Sequence, residues 1–363
     1  MRYYLAWQYV TGYSTASMNA LVQQGHDVRL NYQRIENAFW GDFDQDALTE
    51  NLNAVSWTGE PDVDFLLRDI EEFQPDVLIV NSWHIPAYMK AARRWRKRAL
   101  RIVVMDHQWL AKPKQWLGRV TRPVFIQPAF DAAFLPGDEQ AVFARHLGFA
   151  QHEIIVGLYA CDDAFQTGPQ DPPQDSFLFT GRLVATKGVD VLAEAYRRYR
   201  AGVSDPWPLK VAGMGEMDQE LKAIDGVELL GFVSPTELPS VMQGSGCLLL
   251  PSRFEPWGVV LQEAAASGQA VICTSACGGA SRLVLDGYNG RVVTPDRPDE
   301  LAAAMRWVAA ADPEHRRAMS LRSSQLGAQY TPTRWAEHLT DRCHELLPEK
   351  VPGWTPTSAG KGA

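Results

Sequence analysis

The run Phe254-Glu255-Pro256-Trp257-Gly258-Val259-Val260-Leu261-Gln262-Glu263 places two carboxylates around a strand-to-helix break. The apolar stretch Cys247–Pro251 predicts a strand, and Gly258–Ser267 predicts a helix. Glu255 and Glu263 are eight residues apart, about 2.2 helical turns, so Glu263 projects from a helix face behind a loop carboxylate. Carboxylates so placed could accept hydrogen bonds from ligand hydroxyls, one touching a sugar and the other a ribose. Between them the backbone N–H groups of Gly258, Val259 and Val260 open the helix, an anion site suited to phosphate. The same residues also fit a plainer account, with Glu255 capping the helix and Glu263 on a solvated face.

Elements that could hold such a site alternate along the whole chain. The first half predicts strand Tyr3–Val10, helix Ser14–Gln24 and strand Asp27–Tyr32, with the turn pair Gly25-His26 before that strand. Helix Phe65–Phe73, strand Asp76–Val80, helix Ala87–Arg98 and strand Arg101–Met105 follow. Ala132–Leu135, a helix over Glu139–His146 and Glu153–Val156 continue the pattern. The polar, proline-rich Gln166–Asp175 reads as a linker. Beyond it come strand Phe177–Thr180, helix Val189–Arg200, strand Leu209–Ala212, helix Met217–Ala223, strand Val227–Leu230 and helix Thr236–Gly244. The strand and helix around Glu255, strand Ala270–Thr274 and a late helix from Glu300 complete the set. Continuous apolar strands between helices imply parallel sheets covered on both faces. The expected fold class is therefore α/β, with two doubly wound Rossmann-like domains, 1–165 and 166–350, facing a central cleft. The last helix is allowed to pack back on the first domain, and 351–363 is expected to be a disordered tail.

Bulk properties narrow the function. A chain of 363 residues, 46% hydrophobic and 21% charged, has enough apolar residues for two cores. It contains no apolar run of membrane-spanning length. The start MRYYLAWQYV reads as a first strand and not as a secretion signal, so a cytoplasmic location is expected. Cys161, Cys247, Cys273, Cys277 and Cys343 form no CxxC pair, against a disulfide framework or a zinc site. The net charge of −8 argues against a nucleic-acid partner. Yet Lys90, Arg93, Arg94, Arg96, Lys97, Arg98, Arg101, Lys112, Lys114, Arg119 and Arg122 crowd one stretch with Asp106 as its one acid. With Trp95, Trp109 and Trp116 nearby, residues 90–122 suggest peripheral contact with an anionic membrane, or else a solvated helix face.

The spacing Glu-x7-Glu in SRFEPWGVVLQEAAASG resembles the signature of the retaining GT-B glycosyltransferases of family 4. FTGRLVATKGVDVLAEAYRRY, LKVAGMGE, LLGFVSPTELPSVM and LVLDGYNGRVV resemble further family segments in the same order, covering Phe177–Val293. The resemblance implies that Arg182 and Lys187 clamp the donor diphosphate, whose β-phosphate gains charge as it leaves. It implies that Glu263 binds ribose hydroxyls, that Glu255 binds those of the transferred sugar, and that Gly231, Phe232 and Val233 line the nucleobase pocket. Core packing is the alternative for Phe232. In the first half FQPDVLIVNSWH and LRIVVMDHQW resemble the family's strands, so that His107 reaches the donor sugar and acceptor, with His84 as a second candidate. GLYACDDAF is similar to the stretch entering the linker, where Asp162 or Asp163 and a phenylalanine close the first domain.

Two departures stand out. Thr11-Gly12-Tyr13 replaces a double glycine after the first strand, so that Gly12 remains near the donor phosphate while Tyr13 narrows the approach. Arg282 stands where an acid is usual. The implied reaction moves a sugar from a UDP- or GDP-sugar, with retention, to a glycan or lipid-linked acceptor. No cofactor or metal is expected, because cations replace it. The alternatives are a sugar epimerase or phosphorylase on the same scaffold, and a non-catalytic nucleotide-sugar-binding protein. No GxGxxG follows the first strand, against a nicotinamide dehydrogenase.

Overall fold

The computed structural model of the chain describes residues 1–35 and 44–355. The chain divides into two units, Met1–Ala160 with Pro332–Ala363, and Cys161–Thr331.

In the first unit the order is β1 (Arg2–Trp7), α1 (Gly12–Gln23), β2 (Asp27–Gln33), α2 (Gln45–Thr49), β3 (Asn53–Trp57), α3 (Val63–Phe73), β4 (Val77–Asn81) and α4 (Pro86–Arg94). Then come β5 (Leu100–Val104), α5 (Pro113–Phe125), β6 (Ala132–Leu135), α6 (Asp138–His146) and β7 (Ile154–Val156). The seven strands form one parallel sheet in the order β3-β2-β1-β4-β5-β6-β7. Alternation of side chains along each strand divides the apolar residues between two cores. Tyr3, Leu5 and Trp7 enter one, Tyr4 and Ala6 the other.

The second unit runs β8 (Phe177–Thr180), α7 (Val189–Ala201), β9 (Leu209–Ala212), α8 (Gln219–Lys222), β10 (Val227–Gly231), α9 (Leu238–Gln243), β11 (Cys247–Leu250) and α10 (Val259–Ala266). It ends with β12 (Ala270–Thr274), α11 (Ala280–Leu283), β13 (Gly290–Val293), α12 (Pro298–Ala309) and α13 (Pro313–Gly327). Its parallel sheet has the order β10-β9-β8-β11-β12-β13. The last helix, α14 (Pro332–Lys350), belongs to the first unit. Leu339, Cys343, Leu346 and Leu347 join the core beneath β1, and Trp335 donates Nε1 to the Leu158 carbonyl at 2.6 Å.

Several elements differ from the sequence reading. The edge strand β3 and helix α5 were not expected: β3 is short and only partly buried, and α5 carries two helix breakers, Gly118 and Pro123, within its span. The proline-rich Gln166–Asp175 is no free linker: Gln170 donates Nε2 to the Ser245 carbonyl (2.9 Å) and its N–H to Ser320 Oγ (2.7 Å) inside the second unit. The unit division falls at 160/161, ahead of the expected 165/166. Of the tail expected to be disordered, Val351 is buried and Trp354 donates Nε1 to Asp76 at 3.1 Å. Residues 356–363 lie outside the described residues. All five cysteines are buried and free.

Candidate active site

In each sheet the strand order reverses next to the first strand, between β1 and β4 and between β8 and β11. Open parallel sheets bind ligands beyond the carboxyl ends of the strands at such points. The residues leaving β8 and β11 are those the sequence singled out. From Thr180 the chain passes Gly181 (φ 144°) and exposed Arg182, makes a 3₁₀ turn over Ala185–Lys187, and enters α7 through Gly188 (φ 69°). A Cβ on Gly188 would lie 2.2 Å from the Pro251 carbonyl oxygen. The β8 and β11 loops therefore meet backbone to backbone, and this contact brings Lys187 to Glu255. Lys187 donates Nζ to Glu255 Oε2 in an ion pair whose side chains are only 19% and 13% exposed.

Gly188→Ala should remove that approach. The positive φ and the clash together are expected to cost about 3 kcal/mol, lowering Tm of the purified protein by roughly 6–12 °C. An unchanged melt would mean that the loops can separate without cost.

Arg253 holds the two loops in register and was missed from sequence. Its N–H donates to the Thr186 carbonyl at 2.9 Å, and its guanidinium reaches the Ala185 carbonyl (2.5 Å), both oxygens of Asp190 (2.8 and 2.6 Å) and Asp296 (2.7 Å). The paired guanidinium holds the Asp190 carboxyl below its usual range. The signal was present as a cation two residues before Glu255, with an acid three after Lys187.

Helix α10 starts at Gly258 (φ 89°), which has no side-chain cap, so Glu255 does not cap it; Val259 and Val260 are its first two residues. Nor does Glu263 sit on a solvated face. It is half-buried, and burial, with Asp162 adding like charge, pushes its carboxyl up to about 7. Asp162 or Asp163, together with a phenylalanine, were expected to close the first domain. They form instead a turn packed on α10 in the second unit, with Ser267 Oγ donating to the Phe165 carbonyl at 3.3 Å. Three glycines end neighbouring strands. Gly181 N–H donates to the Ala212 carbonyl (3.0 Å), Gly213 N–H to that of Gly231 (2.7 Å), and Gly231 has φ 70°. After Gly231, Phe232 is 43% exposed and Val233 half-buried, so Phe232 is not a core residue. Arg282 is exposed on α11.

The corresponding point of the first unit holds a pocket of about 250 Å³, lined in part by Gln8, Asn81, Ser82, His84, Asp106, His107 and Tyr159. His107 Nδ1 lies 3.5 Å from Asp106 Oδ1, and Tyr159 donates its hydroxyl to Asp106 Oδ2 at 3.3 Å. Ser82 donates Oγ to Gln8 Oε1 at 2.7 Å from a strained backbone at φ 85°, unusual for a residue with a side chain. Gly12 opens α1, and Tyr13 meets Tyr159 edge to face with centroids 5.5 Å apart. Both expected histidines line this pocket, while Gln8, Ser82, Asp106 and Tyr159 were missed. Gln8, Ser82 and Asp106 lie within two residues of a strand end, the signal that could have found them. Outside these sites, His152, Glu153 and Glu349 lie close enough to share an ion, but Lys350 Nζ pairs with Glu153 (2.5 Å) and Glu349 (2.8 Å).

Residues 162–325 match the family model "Glycosyl transferases group 1". A glycosyltransferase of Methanocaldococcus jannaschii is 33% identical over 130 residues, 34% of this chain and 35% of the relative. The chain thus spans about a third of the length of that relative. A D-inositol 3-phosphate glycosyltransferase of Jonesia denitrificans is 29% identical over 301 residues, covering 66% of this chain and 70% of the relative. The crystal structure of Anabaena HepE in complex with UDP superposes with a TM-score of 0.75 at 17% identity, over 95% of this chain and 100% of that one. The likeness to that structure is one of fold: the chain has the GT-B fold, with its two Rossmann-like parallel-sheet units.

Proposed function

We propose that the chain is a retaining glycosyltransferase of family 4 that moves a sugar from a UDP- or GDP-sugar to a hydroxyl of a glycan or lipid-linked acceptor in the cytoplasm. The observation that carries this reading is the half-buried Lys187–Glu255 pair at the β8/β11 reversal, three residues before the glycine that opens α10. The family match over 162–325 and the relatives named glycosyltransferases support it. The two charges satisfy each other. A nucleoside diphosphate-sugar would take Lys187 and Arg182 on its phosphates, and the N-terminus of α10 would add its N–H groups. Glu255 would then accept from the sugar hydroxyls and Glu263 from the ribose, with Gly231, Phe232 and Val233 beside the base.

In the reaction the bond from the anomeric carbon to the β-phosphate oxygen breaks. The acceptor oxygen bonds to that carbon on the face just vacated, and the acceptor proton passes to the departing diphosphate. Charge grows on the phosphate, so fixed cations there lower the barrier more than they tighten ground-state binding. His107, oriented by Asp106, would hydrogen-bond hydroxyls in the pocket of the first unit, where we place the acceptor. A thermal-shift screen of UDP- and GDP-sugars tests the donor, since a ligand at a hundred times its Kd adds about 2.7 kcal/mol to stability. Acceptor-dependent donor consumption, with NMR of the product anomer, tests transfer and retention. Failure of every nucleotide sugar to raise Tm would overturn the reading.

With cations serving the phosphates, transfer should proceed unchanged after exhaustive EDTA treatment. Loss of turnover restored by Mg²⁺ or Mn²⁺ would contradict this.

A further inference from the structure

The geometry points to helix α5 as a docking surface for an anionic lipid bilayer, a property independent of the reaction proposed above. The helix is well built: Gln115 Oε1 accepts from the N–H of Leu110 (2.8 Å) and Lys112 (3.2 Å) at its start. At its end Arg93 donates to the carbonyls of Val124 (3.1 Å) and Phe125 (3.4 Å). Yet no side chain of α5 is buried. Trp116, Leu117, Val120, Val124 and Phe125 are 47, 63, 75, 66 and 51% exposed. At about 100° per residue, Trp116, Val120, Val124 and Leu117 fall within an arc of about 100°. Arg122, on the opposite side, is tied to the body through the His146 carbonyl at 2.9 Å. Folding alone gives no reason for such an apolar stripe, since scattered exposed residues are ordinary but a contiguous stripe is not.

Charge selects the occupant. No acidic residue occurs from His107 to Phe130, while Lys112 and Lys114 are exposed at the start of the helix. Lys90, Arg94, Arg96 and Lys97 are exposed on α4 and the turn after it, beside the end of α5 that Arg93 holds. An apolar stripe rimmed by cations fits the headgroup boundary of an anionic membrane. A second copy pairing through this face would bring like charges together. The structure also revises the tryptophans. Trp95 is buried under Arg98, Trp109 packs against Phe143, and Trp116 is the exposed one. Arg101 is withdrawn too, buried in a two-bond pair with Asp131 at 2.9 and 2.6 Å.

Sedimentation of the full chain with vesicles of phosphatidylglycerol and phosphatidylcholine in equal parts, against phosphatidylcholine alone, tests this. The expected result is at least about tenfold stronger partitioning to the anionic vesicles, weakened by about 0.5 M salt. Combining Leu117→Ser, Val120→Ser and Val124→Ser should lower partitioning about tenfold or more with Tm unchanged, because none of the three is buried. Lys112→Glu with Lys114→Glu should do so chiefly at low salt. Equal partitioning of wild type to both vesicle types overturns the proposal. So does a concentration-dependent dimer that the serine variant dissociates while vesicle binding is absent.

Discussion

Lys187→Ala is expected to lower kcat by about a hundredfold or more, the scale seen when a fixed donor to developing charge is removed. Lys187 lies at the β8/β11 reversal with its charge largely withdrawn from water and set against Glu255. Removing it has two consequences that must be kept apart. The first is loss of stabilisation for the departing diphosphate. The second is that Glu255 is left half-buried without its partner, a cost in stability that falls on folding and not on chemistry. Lys187→Ala combined with Glu255→Gln separates them. The double variant should recover most of the lost Tm, because no unpaired charge remains, while kcat stays at least as low as in the single variant. If turnover returned together with stability, the pair would be structural and the assignment of Lys187 to the phosphates would fall. Saturating donor is needed in both assays, because an effect confined to KM would mean uniform binding only.

Glu263→Gln should make the second unit more stable in alkaline buffer and bind donor less well. Burial raises the Glu263 carboxyl from 4.5 to about 7 in the folded chain. A carboxyl raised on folding contributes stability that is complete below pH 4.5 and is lost as pH rises through 7. At 1.36 kcal/mol per unit, the full swing is about 3 kcal/mol. The glutamine variant lacks that loss, so its Tm should match wild type near pH 4.5 and exceed it by roughly 6–12 °C at pH 8. Donor affinity at pH 8 should fall about tenfold, since a neutral amide is a weaker acceptor for ribose hydroxyls than a carboxylate. Equal Tm differences at both pH values would show that Glu263 does not titrate in this range. Lower alkaline stability paired with tighter donor binding is what a binding residue held against its own folding preference should show.

Residues 254–263 made the candidate site legible in sequence because its chemistry is local: two acids, a glycine and a helix start within one turn-and-helix segment. Arg253 escaped notice because its partners, Asp190 and Asp296, are 63 and 43 residues away. The pocket around His107 was half legible. The two histidines were visible as polar residues after apolar strands, but Gln8, Ser82 and Tyr159 join them only through the order in which β1, β4 and β5 lie side by side.

By itself the sequence determined the alternation of helices with strands such as Val77–Asn81 and Cys247–Leu250, apolar on both faces, and with it two doubly wound parallel sheets. It also determined that Glu255 and Gly258 would precede one helix that carries Glu263, since bonded neighbours and helical pitch suffice for that. Only the tertiary structure decided that Lys187 pairs with Glu255 across 68 residues, that Trp95 and Arg101 are buried out of a basic surface stretch, and that α14 closes the first unit. It also decided that Glu263 would be held near neutrality. These depend on which strands become neighbours and on how much water remains around a charge, and neither quantity has a period along the chain.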